Sequence, residues 1–260
     1  MTTTTIRARS AALERIRAAT TTSLASGGGW PDVLAGLLGD IDATWQESAE
    51  VCSDIAWQAR ATGTSALLVL RPEQITAPVA DPVIARAHRH LYLAGLRYDF
   101  RCPSIEALFD RMPPEVVDRL DVYSRALWAF ALLGQSRTGG FELMDQVLVD
   151  AGDHPKVLQV LLHGLWLGHR LPGREEHMLG LLDRPPFADR TDPVALFREA
   201  AALRGLGKYR KALDVIDRAL DLLPPGDPAV HADFVRERSL ITAADDWTRL
   251  ARPSCAEPQR

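Results

Sequence analysis

The chain has 260 residues, 47% hydrophobic and 25% charged, enough to bury a real core as one large domain or two small ones. Its net charge of −4, with acids and bases mixed and no like-charge block, argues against broad nucleic-acid binding, which relies on a cationic face. The three cysteines, Cys52, Cys102 and Cys255, lie at least 50 residues apart, fit neither a disulfide framework nor a zinc knuckle, and read as reduced thiols of a cytoplasmic protein.

Residues 1–29 read as a flexible leader, with a short helix from about Ser10 to Thr20 and a hinge at Gly27–Gly29. The leader is rich in Thr, Ser and Arg and poor in acids, which also matches an organellar transit peptide in composition; it lacks the apolar stretch of a secretory signal. The Ala/Arg/Leu/Asp-heavy composition suggests a bacterial source of high GC content. Residues 30–80 form an N-terminal helical region. Trp30-Pro31-Asp32 opens a helix whose stripe is Val33, Leu34, Leu37, Leu38 and Ile41. A second helix runs from about Ala43 to Ala61, with Trp45, Ala49, Cys52, Ile55, Ala56 and Ala59 on one side and Gly63 closing it. Ser65–Leu70 would be a lone strand with no partner, so a short helix is favoured there, and Pro72, Pro78 and Pro82 mark an irregular loop. No uncharged apolar run approaches the roughly 18–20 residues that span a bilayer.

From Asp81 onward, helical blocks alternate with short breaks, and Pro113, Pro155, Pro185 and Pro224 recur 42, 30 and 39 residues apart. Periodicity of this size marks a solenoid of helical hairpins, because one hairpin cannot bury both faces and must stack on another.

Val194–Pro228 reads VALFREAAALRGLGKYRKALDVIDRALDLLPPGDP. It resembles a tetratricopeptide repeat (TPR), a family that places small residues where two helices cross and large ones where they interlock. Leu196, Ala200 and Leu203 take the large, small and large positions of a first helix. Gly207 and Tyr209 match the turn and the aromatic behind it. Ala212, Ile216, Ala219 and Leu220 form the second buried face, and Pro224 ends it. Neighbouring units are degenerate. Lys156–Pro185 keeps Gly164, Gly168 and Pro185, but has Gly173 where Ala is usual and His177 where an aromatic is common. The unit ending at Pro155 carries Tyr123, Leu127, Gly134 and Val147 with an insertion around Ser136–Gly140. Asp81–Pro113 offers Tyr92, Gly95, Tyr98, Ile105 and Leu108, with a long turn, RYDFRCPS, that departs from the family. The resemblance implies an all-α fold, a right-handed superhelix of antiparallel helix pairs over residues 81–245. A capping helix from Ala229 to about Ala243 closes it, and residues 246–260 form a tail.

Such a fold implies a concave groove that holds a peptide or protein segment, although fold alone does not fix function. The first helices offer Arg125, Gln159, His163, Arg198 and Arg204 to that groove, and no full carboxylate clamp is recognisable. Trp128, Phe130 and Trp166 fall on first helices too. Trp128 and Phe130 are two apart and cannot share one interface, so each is either core or a groove aromatic.

Candidate chemistry is sparse. His163 and His169 are six apart and His88 and His90 two apart, spacings that diverge on a helix, so no metal site is expected. A nucleophilic pair of Cys102 with His88 or His90 carries no family signature, and Gly27–Gly29 lacks the Lys-Ser/Thr of a phosphate loop. The cluster Lys208, Arg210 and Lys211, followed by Asp214 and Asp217, reads as a solvated face. The favoured reading is a cytoplasmic adaptor with a protein or peptide partner, no cofactor, no metal, no nucleic acid and no membrane. A regulator sensing a peptide or small molecule stays open. So does an enzyme using a helical cavity around His88, His90, Tyr98, Asp99 and His163, and so does a homodimer through the flat ends of the solenoid.

Overall fold

The computed structural model describes residues 3–26, 29–76, 81–224 and 228–251; Cys255 and most of the expected tail lie outside them. The described residues form fourteen α-helices and two 3₁₀ turns with no strand, and the chain divides into two units, Met1–Leu167 and Gly168–Arg260. This is the all-α class expected from the periodicity. Among the described residues no helix is long and apolar enough to cross a membrane.

The first unit opens differently from the expected leader. Helix α1 (Thr3–Ser26) is continuous and docks on α2 (Trp30–Asp40) and α3 (Trp45–Ala61). Leu13, Ile16, Thr20 and Leu24 recur every three to four residues and are buried, which gives this segment an apolar stripe. Its threonines are tolerated because Thr20, Thr21 and Thr22 donate to the carbonyls of Ile16, Arg17 and Ala18 at 2.8, 2.9 and 3.0 Å. Arg9 pairs with Glu47, Arg17 with Glu50 at 3.0 Å, and Thr21 with Gln58 at 3.2 Å, so α1 runs alongside α3 in the same direction. Pro31 sits in the first turn of α2. The start of α3 is a capping box in which Thr44 and Glu47 satisfy each other's backbone N–H. Gly63 takes a φ of +72° just past α3. Ser65–Leu70 contains a 3₁₀ turn, Ala66–Leu68, in place of a strand. The expected irregular loop contains a short helix, α4 (Pro72–Thr76), anchored by buried Ile75.

Helix α5 (Pro82–Tyr98) is the axis of this unit. Asp81 caps it by accepting from the N–H groups of Val83 and Ile84, and it packs against α2, α3, α4, α6 (Cys102–Phe109) and α8 (Val122–Gly134). The expected long turn after Tyr98 is only Asp99–Arg101. Phe100 adopts a φ of +56°, and the Arg101 N–H closes onto Leu96 O at 2.9 Å. After the short α7 (Pro114–Val117), α8 is flanked by α9 (Gly139–Ala151) and α10 (Pro155–Leu167). Glycines let these helices approach closely. A Cβ on Gly164 would stand 2.9 Å from Phe130 Cα, and one on Gly140 would stand 2.9 Å from the Leu133 backbone nitrogen.

The second unit contains α11 (Arg174–Leu182), a 3₁₀ turn at Pro185–Phe187, α12 (Pro193–Gly205), α13 (Tyr209–Leu222) and α14 (Pro228–Ala251). Helices α12 and α13 make a tight hairpin around Gly207, whose φ is +71°. Leu196, Ala200, Leu203, Ala212, Ile216 and Ala219 are all buried. Helix α14 lies against both members of the hairpin. Phe197 stacks on Phe234 with centroids 4.7 Å apart, and Arg238 reaches Asp217 at 2.6 Å. It is longer than expected, reaching Ala251 through what was read as the start of the tail.

The close approach at Gly164 is directly testable against Gly36, a helical glycine of the same unit with open space around it. We predict that Gly164→Ala destabilises by about 1–3 kcal/mol, because backbone must shift to admit the methyl. Gly36→Ala should stabilise by about 0.5–1 kcal/mol through the lower chain entropy of alanine. Thermal unfolding followed by circular dichroism should shift in opposite directions, and equal shifts would contradict the close-packing account.

Candidate functional site

The polar side chains of α5 determine what lies at the centre of the first unit. His90 is fully buried, and its two ring nitrogens are both engaged. Nδ1 lies 2.9 Å from Ser48 Oγ on α3, and Nε2 lies 2.9 Å from Asp121 Oδ1 at the start of α8. Asp121 also caps α8, accepting from the Ser124 N–H and hydroxyl, each at 2.9 Å. Arg89 approaches its other oxygen at 3.8 Å. Ser48 continues the chain to the Cys52 thiol at 3.8 Å, and the Tyr123 ring packs edge-on against His90 with centroids 4.9 Å apart. Close by, the Ser53 hydroxyl meets the Tyr98 hydroxyl at 2.9 Å. Three helices are thus joined through one imidazole.

Electrostatics follows from this burial. Removal from water alone would raise the Asp121 carboxyl. The His90 ring and the two Ser124 donors outweigh it and hold the group far below the usual carboxylate range. Burial pushes the Cys52 thiol up to about 12 and Cys102 up to about 11, so neither supplies a thiolate near neutrality. His88 diverges from His90, as their spacing requires. It sits 3.0 Å from Asp32 on α2, and burial lowers its pKa against the opposing pull of that carboxylate.

Ser48, His90 and Asp121 have the composition of a hydrolytic triad, but not its geometry. In such triads the serine faces Nε2 and the acid holds Nδ1. Here the ring is reversed, and both Ser48 and His90 have no exposed surface. As arranged, the chain can transmit hydrogen bonds between helices and cannot meet a substrate. The sequence pointed to His90 and to Tyr98. It missed Ser48 and Asp121, because nothing local sets a serine of one helix and the cap of another apart from ordinary ones.

The residues assigned to a groove scatter. Gln159, His163 and Trp166 share one face of α10, where His163 meets Phe100 and Phe130 with centroids 5.5 and 5.1 Å away. Arg125 turns instead to Asp150 on α9 at 2.7 Å, and Trp128 stacks on Phe109 of α6 at 5.0 Å. Trp128 and Phe130 therefore do face different neighbours. Helix α3 lies against α5, α8 and α10, joined to α10 by Lys156–Asp54 at 2.6 Å, so this side of the first unit is covered. Arg198 and Arg204 belong to the second unit, where Arg198 is buried and Arg204 pairs with Glu237 at 2.6 Å.

The second unit carries an open groove of about 520 Å³. It is lined by Gly207, Lys208, Tyr209, Arg210 and Lys211 at the turn and head of α13, and by Asp245 and Thr248 of α14. Among the described residues, no group of three or more His, Cys, Asp or Glu side chains is placed to hold a metal ion.

The polar centre predicts a specific acid response. The folded pKa of Asp121 is depressed, so its contribution to stability is complete above the unfolded value of about 3.9 and is lost as pH falls below it. Asp121→Asn should cost about 1–3 kcal/mol at pH 7, by weakening buried hydrogen bonds, and should flatten the decline towards pH 3. Urea unfolding of both proteins at the two pH values measures this, and parallel pH profiles would refute it. Cys52 and Cys102 should react with a thiol reagent only once the chain unfolds, as a timed labelling experiment would show.

Compared with known proteins, the chain matches no family model, no curated protein and no solved structure.

Proposed function

We propose that the protein is a TPR-like interaction module that holds a segment of a partner protein, with hairpins stacked as a right-handed superhelix. The observation that carries this reading is the α12–α13–α14 arrangement. Leu196, Ala200, Leu203, Ala212, Ile216 and Ala219 of the resemblance are buried on the two facing helices, Leu220 is half-buried, and the turn glycine has the positive φ a tight hairpin needs. Helix α14 packs on both helices, and the pairs Phe197–Phe234 and Arg204–Glu237 advance in the same sense along α12 and α14, as with a following first helix or cap. Repeat hairpins of this kind present surfaces to extended segments. A cytoplasmic, bacterial setting suits such an adaptor.

One observation favours a second reading, an enzyme: the Ser48–His90–Asp121 chain. Its sealing and reversed ring argue against it. The two readings separate cleanly in experiment. A peptide library displayed on phage and panned against the full chain should enrich one related set of segments that bind with micromolar Kd. A fluorophosphonate probe should leave Ser48 unlabelled. Labelling of Ser48, or a small molecule retained in native mass spectrometry with no peptide enrichment, would overturn the adaptor reading in favour of catalysis or sensing.

A further inference from the structure

The groove at the head of α13 gathers three exposed cations. Lys208, Arg210 and Lys211 are exposed and make no ion pair among the described residues. In the same unit Arg174, Arg190, Arg204 and Arg238 each reach a carboxylate, on Glu175, on Asp183 and Glu199, on Glu237 and on Asp217. Exposed Arg218 and Arg236 also stand unpaired among the described residues; Lys208, Arg210 and Lys211 differ in lining one groove together. Of the nearby acids, Asp217 faces Arg238, Asp214 makes no ion pair among the described residues, and Asp245 lines the same groove. The groove thus gathers three cations against one acid, and the first turn of α13 contains no acid. The cations also stand at the end of a helix where positive charge is disfavoured. Lys208, the N-cap, offers no side-chain cap to the free N–H groups. Local stability would be better served by an acid here, and departures of this kind are expected at functional or strained sites.

The groove gives that charge a place to bind. Its walls are the α12–α13 turn on one side and Asp245 and Thr248 of α14 on the other, with Tyr209 between the basic side chains. The groove is open, with a volume of about 520 Å³, and would hold a segment lying along the surface. We propose that this groove binds an acidic segment of a partner protein, whose carboxylates pair with Lys208, Arg210 and Lys211 while Tyr209 supplies apolar contact. The inference rests on the adaptor reading and names its partner class. Nucleic acid is the poorer match, since three cations fall short of the roughly 6–10 phosphate contacts that typical binders make, and the chain is net acidic.

The test uses the full chain and a fluorescein-labelled peptide of alternating Glu and Ala, followed by fluorescence anisotropy. The comparison probes are the Gln-for-Glu peptide and a single-stranded oligonucleotide of equal charge. Binding of the acidic peptide should exceed that of the Gln peptide at least tenfold and weaken as salt rises from about 50 to 500 mM. The triple variant Lys208→Glu, Arg210→Glu, Lys211→Glu should lose at least tenfold in affinity. Acids in the first turn suit the helix, so the variant should keep its circular dichroism spectrum. A charge-matched control, Arg15→Glu, Arg111→Glu, Arg119→Glu, changes exposed cations of the first unit and should lose less than threefold. Equal losses in both triples would overturn the proposal by showing diffuse attraction. Tighter binding of the oligonucleotide would overturn it in favour of nucleic acid. If the acidic peptide fails while library-selected segments bind with equal affinity to the groove variant, the groove proposal falls and the adaptor reading stands. If neither binds, both fall.

Discussion

The first unit depends on one constraint: a helix buried on nearly every side has to place its polar side chains. Helix α5 carries His88, Arg89, His90 and Arg97, all buried. Buried polar groups are costly unless they are hydrogen-bonded. His90 meets this requirement by joining α3 to the start of α8, and Asp121 serves at once as partner to the ring and as helix cap. The placement of α3 across α5, α8 and α10 follows from the same network, since Ser48, Ser53 and Asp54 of α3 reach His90, Tyr98 and Lys156. A stack of hairpins left to itself would keep that side open.

Elsewhere the helices are fitted by subtraction of side-chain volume. Gly140 and Gly164 let α9 and α10 touch the backbone of α8, and Ala212 and Ala219 give α13 a flat buried strip. Such contacts tolerate little added volume, because interiors are packed as tightly as organic crystals. The second unit buries charge as well: Arg174, Arg198, Glu199 and Glu237 are buried, and Glu199 and Glu237 are paired with Arg190 and Arg204. Three of its exposed cations, Lys208, Arg210 and Lys211, gather at the head of α13.

Much of the helical architecture was legible in the sequence, through periods and punctuation. The stripe of α3, the closing Gly63 and the α12–α13 hairpin follow from apolar spacing and from glycines where φ must be positive. The expectation failed where propensity misleads. Threonine-rich α1 was read as a leader, yet its apolar stripe docks and its hydroxyls bond back to the helix. RYDFRCPS was read as a long turn, yet the turn is short because Phe100 takes a conformation that usually calls for glycine. The polar centre was legible only in part. Nothing within a sequence window relates Ser48 to Asp121, and the groove residues were assigned by helix position without knowing which face α3 would cover. Lys208, Arg210 and Lys211 were visible from the start; their lack of partners was not.

The span of the polar centre bears on the order in which the chain can fold. Ser48 and His90 are 42 residues apart, His90 and Asp121 are 31, and Asp54 and Lys156 are 102. Closing such loops costs entropy before any contact forms, and proteins rich in distant contacts fold more slowly than those built from neighbours. The α12–α13 hairpin needs only its three-residue turn. The second unit is therefore expected to gain structure early, while the first waits until α3, α5 and α8 meet. His90 then acts as a check on assembly: a helix docked one turn out of register leaves an imidazole and a carboxylate buried without partners, and that arrangement dissolves.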